Sequence, residues 1–349
     1  MKVVVAIDSF KGSATSAELN QAVKTAVLSV FPKFNVETFE IADGGEGSVS
    51  ALHSGLGGNF IDVETVDLMK RPMQASYLFL DHRLAVIEAA EVVGIDKIKP
   101  DEKTVQEATT FGLGALFLDA KKRGATEIVL SLGGSGTSDG GRGLLEALEG
   151  QDFSTIKITG LADVTNVYAG AEGYAKVFGK QKGGTAEILE RQDRAAQAFV
   201  QKIKKERKID LQEIPGTGAA GGLGGALVLL GGTLEPGFGK IAELLKIEEA
   251  IKTADLIITG EGQMDFQTAK GKVPFGMAKL GAKYNVPTIA FCGSLSEDLG
   301  EMSKILLASY SIQRTVLPLE KAMCKEVTLK NIQFLTENVL KTWCHGHRS

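Results

Sequence analysis

Cysteine, histidine, proline and aromatic residues are all scarce in this 349-residue chain, and neither sign of charge dominates. The three cysteines, Cys292, Cys324 and Cys344, are odd in number and far apart. That excludes a disulfide framework and any paired-cysteine zinc pattern. Of the four histidines, His345 and His347 fall at the very end, where an exposed polar tail is the plain reading. Lys and Arg total 39 against 43 Asp and Glu, a formal net charge of -4. A phosphate backbone needs a basic excess, so nucleic acid is not expected as a partner. No run of about 18 apolar residues exists, so no membrane span is expected. The first apolar run stops at Asp8 and is too short for a secretory signal. A cytoplasmic location is expected. With 44% hydrophobic and 23% charged residues the chain is globular in composition, and about 150 residues per domain suggests two domains.

Glycine is what the chain has in excess. There are 42 against 8 prolines, where average usage near 7% would give about 24. The surplus is clustered in GG and GxG groups between apolar runs. Short apolar runs at residues 3–7, 36–41, 127–132, 255–259, 287–292 and 304–309 alternate with helical periodicity. Leu19, Ala22, Val23, Ala26, Val27 and Val30 recur at helical spacing behind Ser16, read as the N-cap. This rhythm predicts a doubly wound, Rossmann/flavodoxin-like α/β parallel sheet. Two stretches break it. Residues 61–66, 75–80 and 84–87 read as strand after strand, and residues 155–185 are glycine-rich before a helix over 186–205. The expected architecture is two dissimilar α/β domains. Residues 1–60, 104–150 and 240–349 would build the Rossmann-like domain; 61–103 and 151–239 would build a mixed α/β domain inserted into it.

Ligands of open α/β sheets bind beyond the carboxyl ends of the strands. Four predicted strands end in glycine loops carrying a carboxylate: Asp8-Ser-Phe-Lys-Gly12, Asp43-Gly-Gly-Glu-Gly47, Gly133-Gly-Ser-Gly-Thr-Ser-Asp139 and Gly260-Glu-Gly-Gln-Met-Asp265, the last succeeded by Lys270 and Lys272. Glycine lets backbone N–H groups approach a phosphate, carboxylates hold Mg²⁺, and lysine offers positive charge. These are the parts of phosphoryl transfer. The familiar nucleotide signatures fail. Gly271-Lys272 is followed by Val273 and Gly239-Lys240 by Ile241, so no P-loop exists. The one G-x-G-x-x-G, Gly216 to Gly221, follows Pro215 rather than a strand, as a dinucleotide fingerprint requires. Ser135 and Ser138 lack an eligible histidine and a G-x-S-x-G elbow, which leaves a serine hydrolase without support.

Nine segments in order resemble one family, the bacterial glycerate kinases of type 1. They are Ala6-Ile-Asp-Ser-Phe-Lys-Gly12, Ala42-Asp-Gly-Gly-Glu-Gly47, Arg71-Pro72, Val86-Ile-Glu-Ala-Ala90, residues 133–141, Ala162-Asp-Val-Thr-Asn166, residues 178–183, residues 215–224, and Ile258-Thr-Gly-Glu-Gly262 with Asp265, Gln267 and Gly271-Lys-Val-Pro274. Departures from the family pattern fall at Ile7, Gly136, Ser138, Gln263 and Lys270, and residues 150–156 form a shortened connection.

The resemblance implies ATP- and Mg²⁺-dependent phosphorylation of D-glycerate, mainly at the 2-hydroxyl. Combined with the loop chemistry, it assigns roles. Asp8, Lys11, Asp163, Asp265, Lys182 and Lys272 are expected in catalysis, with Asp163 or Asp265 as general base. Ser9, Lys11, Arg71 and Asn166 would hold glycerate. Gly133, Gly134, Ser135, Gly216, Gly218, Gly221, Gly222, Gly260, Glu261 and Gly262 would hold ATP, and Asp43, Glu46 and Asp139 the metal. Competing readings are phosphorylation at the 3-hydroxyl, a kinase of a related hydroxy acid, a nicotinamide oxidoreductase, and a sugar-acid-binding protein without turnover. The sequence leaves the oligomeric state open.

Overall fold

In the computed structural model the strands, in chain order, are β1 (Lys2–Ile7), β2 (Asn35–Thr38), β3 (Asn59–Val66), β4 (Pro72–Leu80), β5 (Leu84–Glu88), β6 (Glu127–Ser131), β7 (Lys157–Leu161), β8 (Thr233–Glu235), β9 (Leu256–Met264), β10 (Thr288–Leu295) and β11 (Ala308–Ser311). The structure describes residues 1–81, 83–266 and 268–346; His82, Gln267, His347 and the side chain of Lys270 lie outside it. The chain divides into two units. The first is Met1–Asp43, Ser50–Gly55 and the chain from Phe238 on; the second is Gly44–Val49 with Leu56–Gly237.

The first unit carries an all-parallel five-stranded sheet in the order β11-β10-β9-β1-β2. Counted along the chain this is the flavodoxin-like order 2-1-3-4-5, and the direction of winding reverses between β1 and β9. The β-branched run Val3–Ile7 is wholly buried because helices cover both faces of a parallel sheet. Val3, Val5, Ile258, Ile289 and Phe291 share one core with Leu19, Val23, Ile332 and Leu340, so helices Ser16–Val30 and Lys325–Gly346 cover that face. Ala290, Cys292 and Met264 point to the other face, where they meet Phe275 of helix Val273–Lys283.

The first helix is capped by Thr15, not Ser16. Thr15 and Glu18 form a capping box. The Ser16 hydroxyl instead donates to the carbonyl of Ile7 (2.6 Å) and accepts from the Ile41 N–H (3.1 Å). Beside it, buried Asn20 accepts from the Ile7 N–H (3.0 Å) and donates to the Phe39 carbonyl (2.7 Å). Two helix side chains thus tie the carboxyl ends of β1 and β2 together, immediately before Asp8 and Asp43.

The second unit carries a six-stranded mixed sheet in the order β3-β4-β5-β6-β7-β8. The first two pairings are antiparallel and the rest parallel. Its core joins Tyr77, Ile87, Ile128 and Leu130 to Leu113, Leu116 and Phe117, with Leu223 and Leu227. A second cluster packs Tyr168 and Tyr174 against Ala196, Val200 and Ile203 of helix Ala186–Arg207.

Several expected boundaries are corrected. Residues 104–150 belong to the second unit, because β6 pairs between β5 and β7. The insertion is therefore one nearly continuous run. The glycine loop after β6 imitates the first unit's rhythm, and local pattern does not say which sheet a strand joins. β2 ends at Thr38, where the Asn20 and Ser16 side chains take over bonding of the chain up to Ile41. The run at 304–309 is split between a short helix, Met302–Ile305, and β11. Residues 260–264 are strand rather than loop, continuing β9 against β10.

Replacing Asn20 with alanine should orphan the Ile7 N–H and the Phe39 carbonyl. At roughly 1–3 kcal/mol for each buried group left unpaired, Asn20→Ala is expected to destabilise the first unit by about 2–4 kcal/mol in urea unfolding. A loss under about 0.5 kcal/mol would contradict the tie.

Candidate active site

In the first unit, the carboxyl ends of β1 and β9 open onto a cavity of about 600 Å³. Asp8, Ser9 and Lys11 come after β1, Asp43 comes after the β2 segment, and Glu261 and Gly262 lie on β9. Lys272, at the N-cap of helix Val273–Lys283, completes this charged lining. Ser13, Gln263, Ser294 and Thr328 add neutral polar groups to the lining, and the rest of the wall is largely apolar. It comes from Phe10 and from the chain after β11: Ile312, Leu317, Leu319, Ala322 and Met323, with Gln313 among them.

The charged lining is crowded with one sign. Asp8 is half-buried, and its carboxyl is pushed up to about 7. Burial is the largest cause; the neighbouring charges of Asp43 and Glu261 add to it, against the Ser9 N–H bond and the Lys11 ammonium. The Ser9 N–H donates to Asp8 Oδ1 at 2.7 Å. Glu261, nearly inaccessible, is also pushed up by burial, while Thr268 and Lys272 pull it back and Asp265 adds repulsion. The Thr268 hydroxyl donates to Glu261 Oε1, and Lys272 Nζ lies 3.3 Å from Oε2. Thr268 also accepts from the Asp265 N–H at 3.1 Å. Eight expected site residues thus meet in one unit: Asp8, Ser9, Lys11, Asp43, Glu261, Gly262, Asp265 and Lys272. Gly260 has a different reason to be glycine. A Cβ there would stand 1.9 Å from the Phe291 carbonyl, so the close pairing of β9 with β10 demands its absence.

The second unit holds the other expected residues. β3, β5, β6, β7 and β8 run in one direction, so the turn 67–71, the loop 132–141 and the chain from Ala162 leave the same sheet edge. Arg71 is committed at the turn. Its Nε donates to Asp67 at 2.5 Å and a terminal amine to the Lys97 carbonyl at 3.0 Å, with the rest of the guanidinium exposed. Asp163 accepts from the Gly237 N–H at 3.0 Å, and Asn166 donates to the Glu172 carbonyl at 3.1 Å. Ser135 bonds Thr137 at 2.9 Å. Glu46 is exposed.

Two expectations in this unit need correcting. Asp139 accepts from the Thr110 N–H and hydroxyl, the Thr109 hydroxyl and the N–H groups of Gly141 and Gly143, all within 3.2 Å. Four of these donors converge on Oδ2 and the fifth on Oδ1, so the carboxylate serves as a knot of the loop. Lys182 is 2% exposed and donates to the Thr137 carbonyl at 2.6 Å. Burial pushes its amine down to about 8 against the pull of Asp139. It supports the loop from beneath and is not presented to a phosphate. Gly221 is glycine because a Cβ would lie 2.0 Å from the Thr137 carbonyl. The G-x-G-x-x-G thus lets residues 216–222 lie against residues 137–140, a packing duty and not a dinucleotide fingerprint; Gly133, Gly134, Gly216, Gly218 and Gly222 stand in the same two loops.

Among the described residues no group of three or more His, Cys, Asp or Glu side chains is arranged to hold a metal ion. Mg²⁺ is ordinarily held by one or two carboxylates together with waters and substrate phosphates, and the hard oxygens of the first unit's cleft suit it.

The sequence matches the glycerate kinase family over residues 3–155 and 150–344. It is 34% identical to a glycerate kinase of Bacillus cereus, covering 98% of each chain, and 32% identical to a glycerate 2-kinase of Escherichia coli, covering 100% of each. A crystal structure of a Salmonella typhimurium LT2 protein with a provisional glycerate kinase 2 designation superposes with a TM-score of 0.86 at 32% identity, covering 100% of both chains.

Folding raises the Asp8 pKa, so the folded chain holds a proton that the unfolded chain has released. The stability from this group is complete below the unfolded value near 4 and is lost as pH rises towards 7. Asp8→Asn is therefore expected to raise the melting temperature at pH 8 by roughly 2–4 °C and to change it little at pH 4. Equal effects at both pH values would contradict the placement of Asp8.

Proposed function

The chain belongs to the glycerate kinase family and is an enzyme of that family, and from that premise we propose that it transfers the γ-phosphoryl group of ATP to the 2-hydroxyl of D-glycerate, giving 2-phosphoglycerate and ADP. The observation that carries this reading is the half-buried carboxyl of Asp8 in the first unit's cleft, near neutrality in pKa, with Lys11 and Lys272 on the same lining. The name of the Escherichia coli relative supports the 2-hydroxyl.

Asp8 acts as general base. A base is most effective when its pKa lies near the working pH, and burial and like charge bring this one there. It takes the proton of the substrate hydroxyl as that oxygen bonds to the γ-phosphorus. The bond to the β,γ-bridging oxygen breaks and ADP leaves with its electrons. Lys11 and Lys272 neutralise charge spread over the phosphoryl oxygens or on the glycerate carboxylate. Mg²⁺ when bound would draw charge from the β- and γ-phosphates, with Asp43 the carboxylate to hold it. Glu261 holds Lys272 in place at 3.3 Å, and the Gly262 backbone lines the cleft for a phosphate.

Coupled ADP release with Mg-ATP and D-glycerate, and phosphorus NMR of the product, test the reading. The expected product is 2-phosphoglycerate; 3-phosphoglycerate would move the attacking hydroxyl, and no transfer would overturn the proposal. Asp8→Asn is expected to lower kcat by about 10²–10⁴ with little change in KM for D-glycerate, and to abolish the limb of the wild-type pH profile near 7. A variant that keeps that limb would remove Asp8 from the role.

A further inference from the structure

The first unit's cavity is too large and too apolar for glycerate and phosphates alone. About 600 Å³ is ample for a drug-sized ligand, whereas a three-carbon acid and a triphosphate would engage only the charged lining. Facing the rest is the chain after β11, Ile312 to Met323, with Phe10. Leu319 is 73% exposed. An aromatic ring, a thioether and branched aliphatics suit the flat face of a heterocyclic base.

One polar side chain stands among them. The Gln313 backbone N–H is met by Ser311 Oγ at 3.2 Å. Its side-chain Oε1, by contrast, is buried without a partner. An unmet buried acceptor costs about 1–3 kcal/mol, so this amide gains by finding a ligand donor. The terminal torsion of glutamine is soft, and rotation presents the carbonyl and the amine side by side to the cavity. A primary amide in that pose pairs with adenine through its exocyclic amine and an adjacent ring nitrogen.

We propose that the segment 312–323 after β11, with Phe10, is the base-binding wall of the nucleotide site, and that Gln313 reads the 6-amino group of adenine. This rests on the ATP-dependent reading above and says which part of the cleft the adenosine takes. Triphosphate then extends from the apolar wall to Lys11 and Lys272.

Calorimetry with Mg-ATP, without glycerate, tests it on the full-length protein. Wild type is expected to bind ATP about tenfold more tightly than purine riboside triphosphate, which lacks the 6-amino group. Gln313→Leu is expected to weaken ATP about tenfold and erase that difference. Leu319→Asp, at an exposed position that leaves the fold undisturbed, should weaken both nucleotides at least tenfold. Equal ATP affinity in all three proteins overturns the base site while leaving the kinase reading intact if wild type still turns over. The expected binding pattern without turnover of D-glycerate supports the base site and overturns the kinase reading. No ATP binding by wild type overturns the base site.

Discussion

Crowding of carboxylates at one reversal of a parallel sheet is the constraint on which the site depends. The first unit's winding reverses between β1 and β9, and at such a point the connections diverge and leave a crevice. Asp8 comes directly after β1 and Glu261 lies on β9, so the register that pairs Ile7 with Gly260 brings both to that crevice. Asp43 joins them because Asn20 and Ser16 bind the end of β1 to the chain after β2. Like charges held close and partly out of water cannot all ionise at neutral pH. One proton therefore stays in the cluster, and a group that exchanges a proton near pH 7 is what proton transfer from an alcohol requires. The framework that gives Asp8 its chemistry is the framework that closes the core.

The second unit uses the same residue types for different ends. Its glycine loop 133–141 also sits at the carboxyl edge of parallel strands, yet its carboxylate turns inward, as does Lys182 of the short turn Lys180–Lys182. Asp139 gathers five donors, and Lys182 holds the Thr137 carbonyl. A buried ammonium on a backbone carbonyl is a costly tie, compensated in part by the nearby Asp139. The result is a loop fixed from below with Gly221 lying against Thr137 from the side. Rigidity of that loop, rather than charge on its surface, is what these side chains supply.

Much of this is legible in the residues. The alternation of short apolar runs with helical spacing announces the parallel sheet, and the loops at the carboxyl ends of its strands point to Asp8, Asp43 and Glu261. Sheet membership is not legible. β6 carries the same apolar run and glycine loop as a first-unit strand, and only long-range pairing sets it beside β5 and β7. Nor can sequence separate Asp139 and Lys182, turned inward, from Asp8 and Lys11, turned to a cleft, since all four are charged residues in short glycine-bearing segments. Gln313 escapes for a simpler reason. The apolar run places the last strand over 304–309, whereas the strand ends at Ser311, so residues 312–323 do not read as a strand-end loop. Asn20, a polar residue on an apolar helix face, is the one visible sign of a buried tie.

The central claim is that Asp8 carries a proton near neutrality because it is buried in a crevice that Asp43 and Glu261 share. Carbon-13 NMR titration of the Asp8 carboxyl in the wild-type protein and in Asp43→Asn tests this most directly. A midpoint near 7 is expected in the wild type, with a clear downward shift when the Asp43 charge is removed. A midpoint near 4 in the wild type, or one that does not move in the variant, would contradict it.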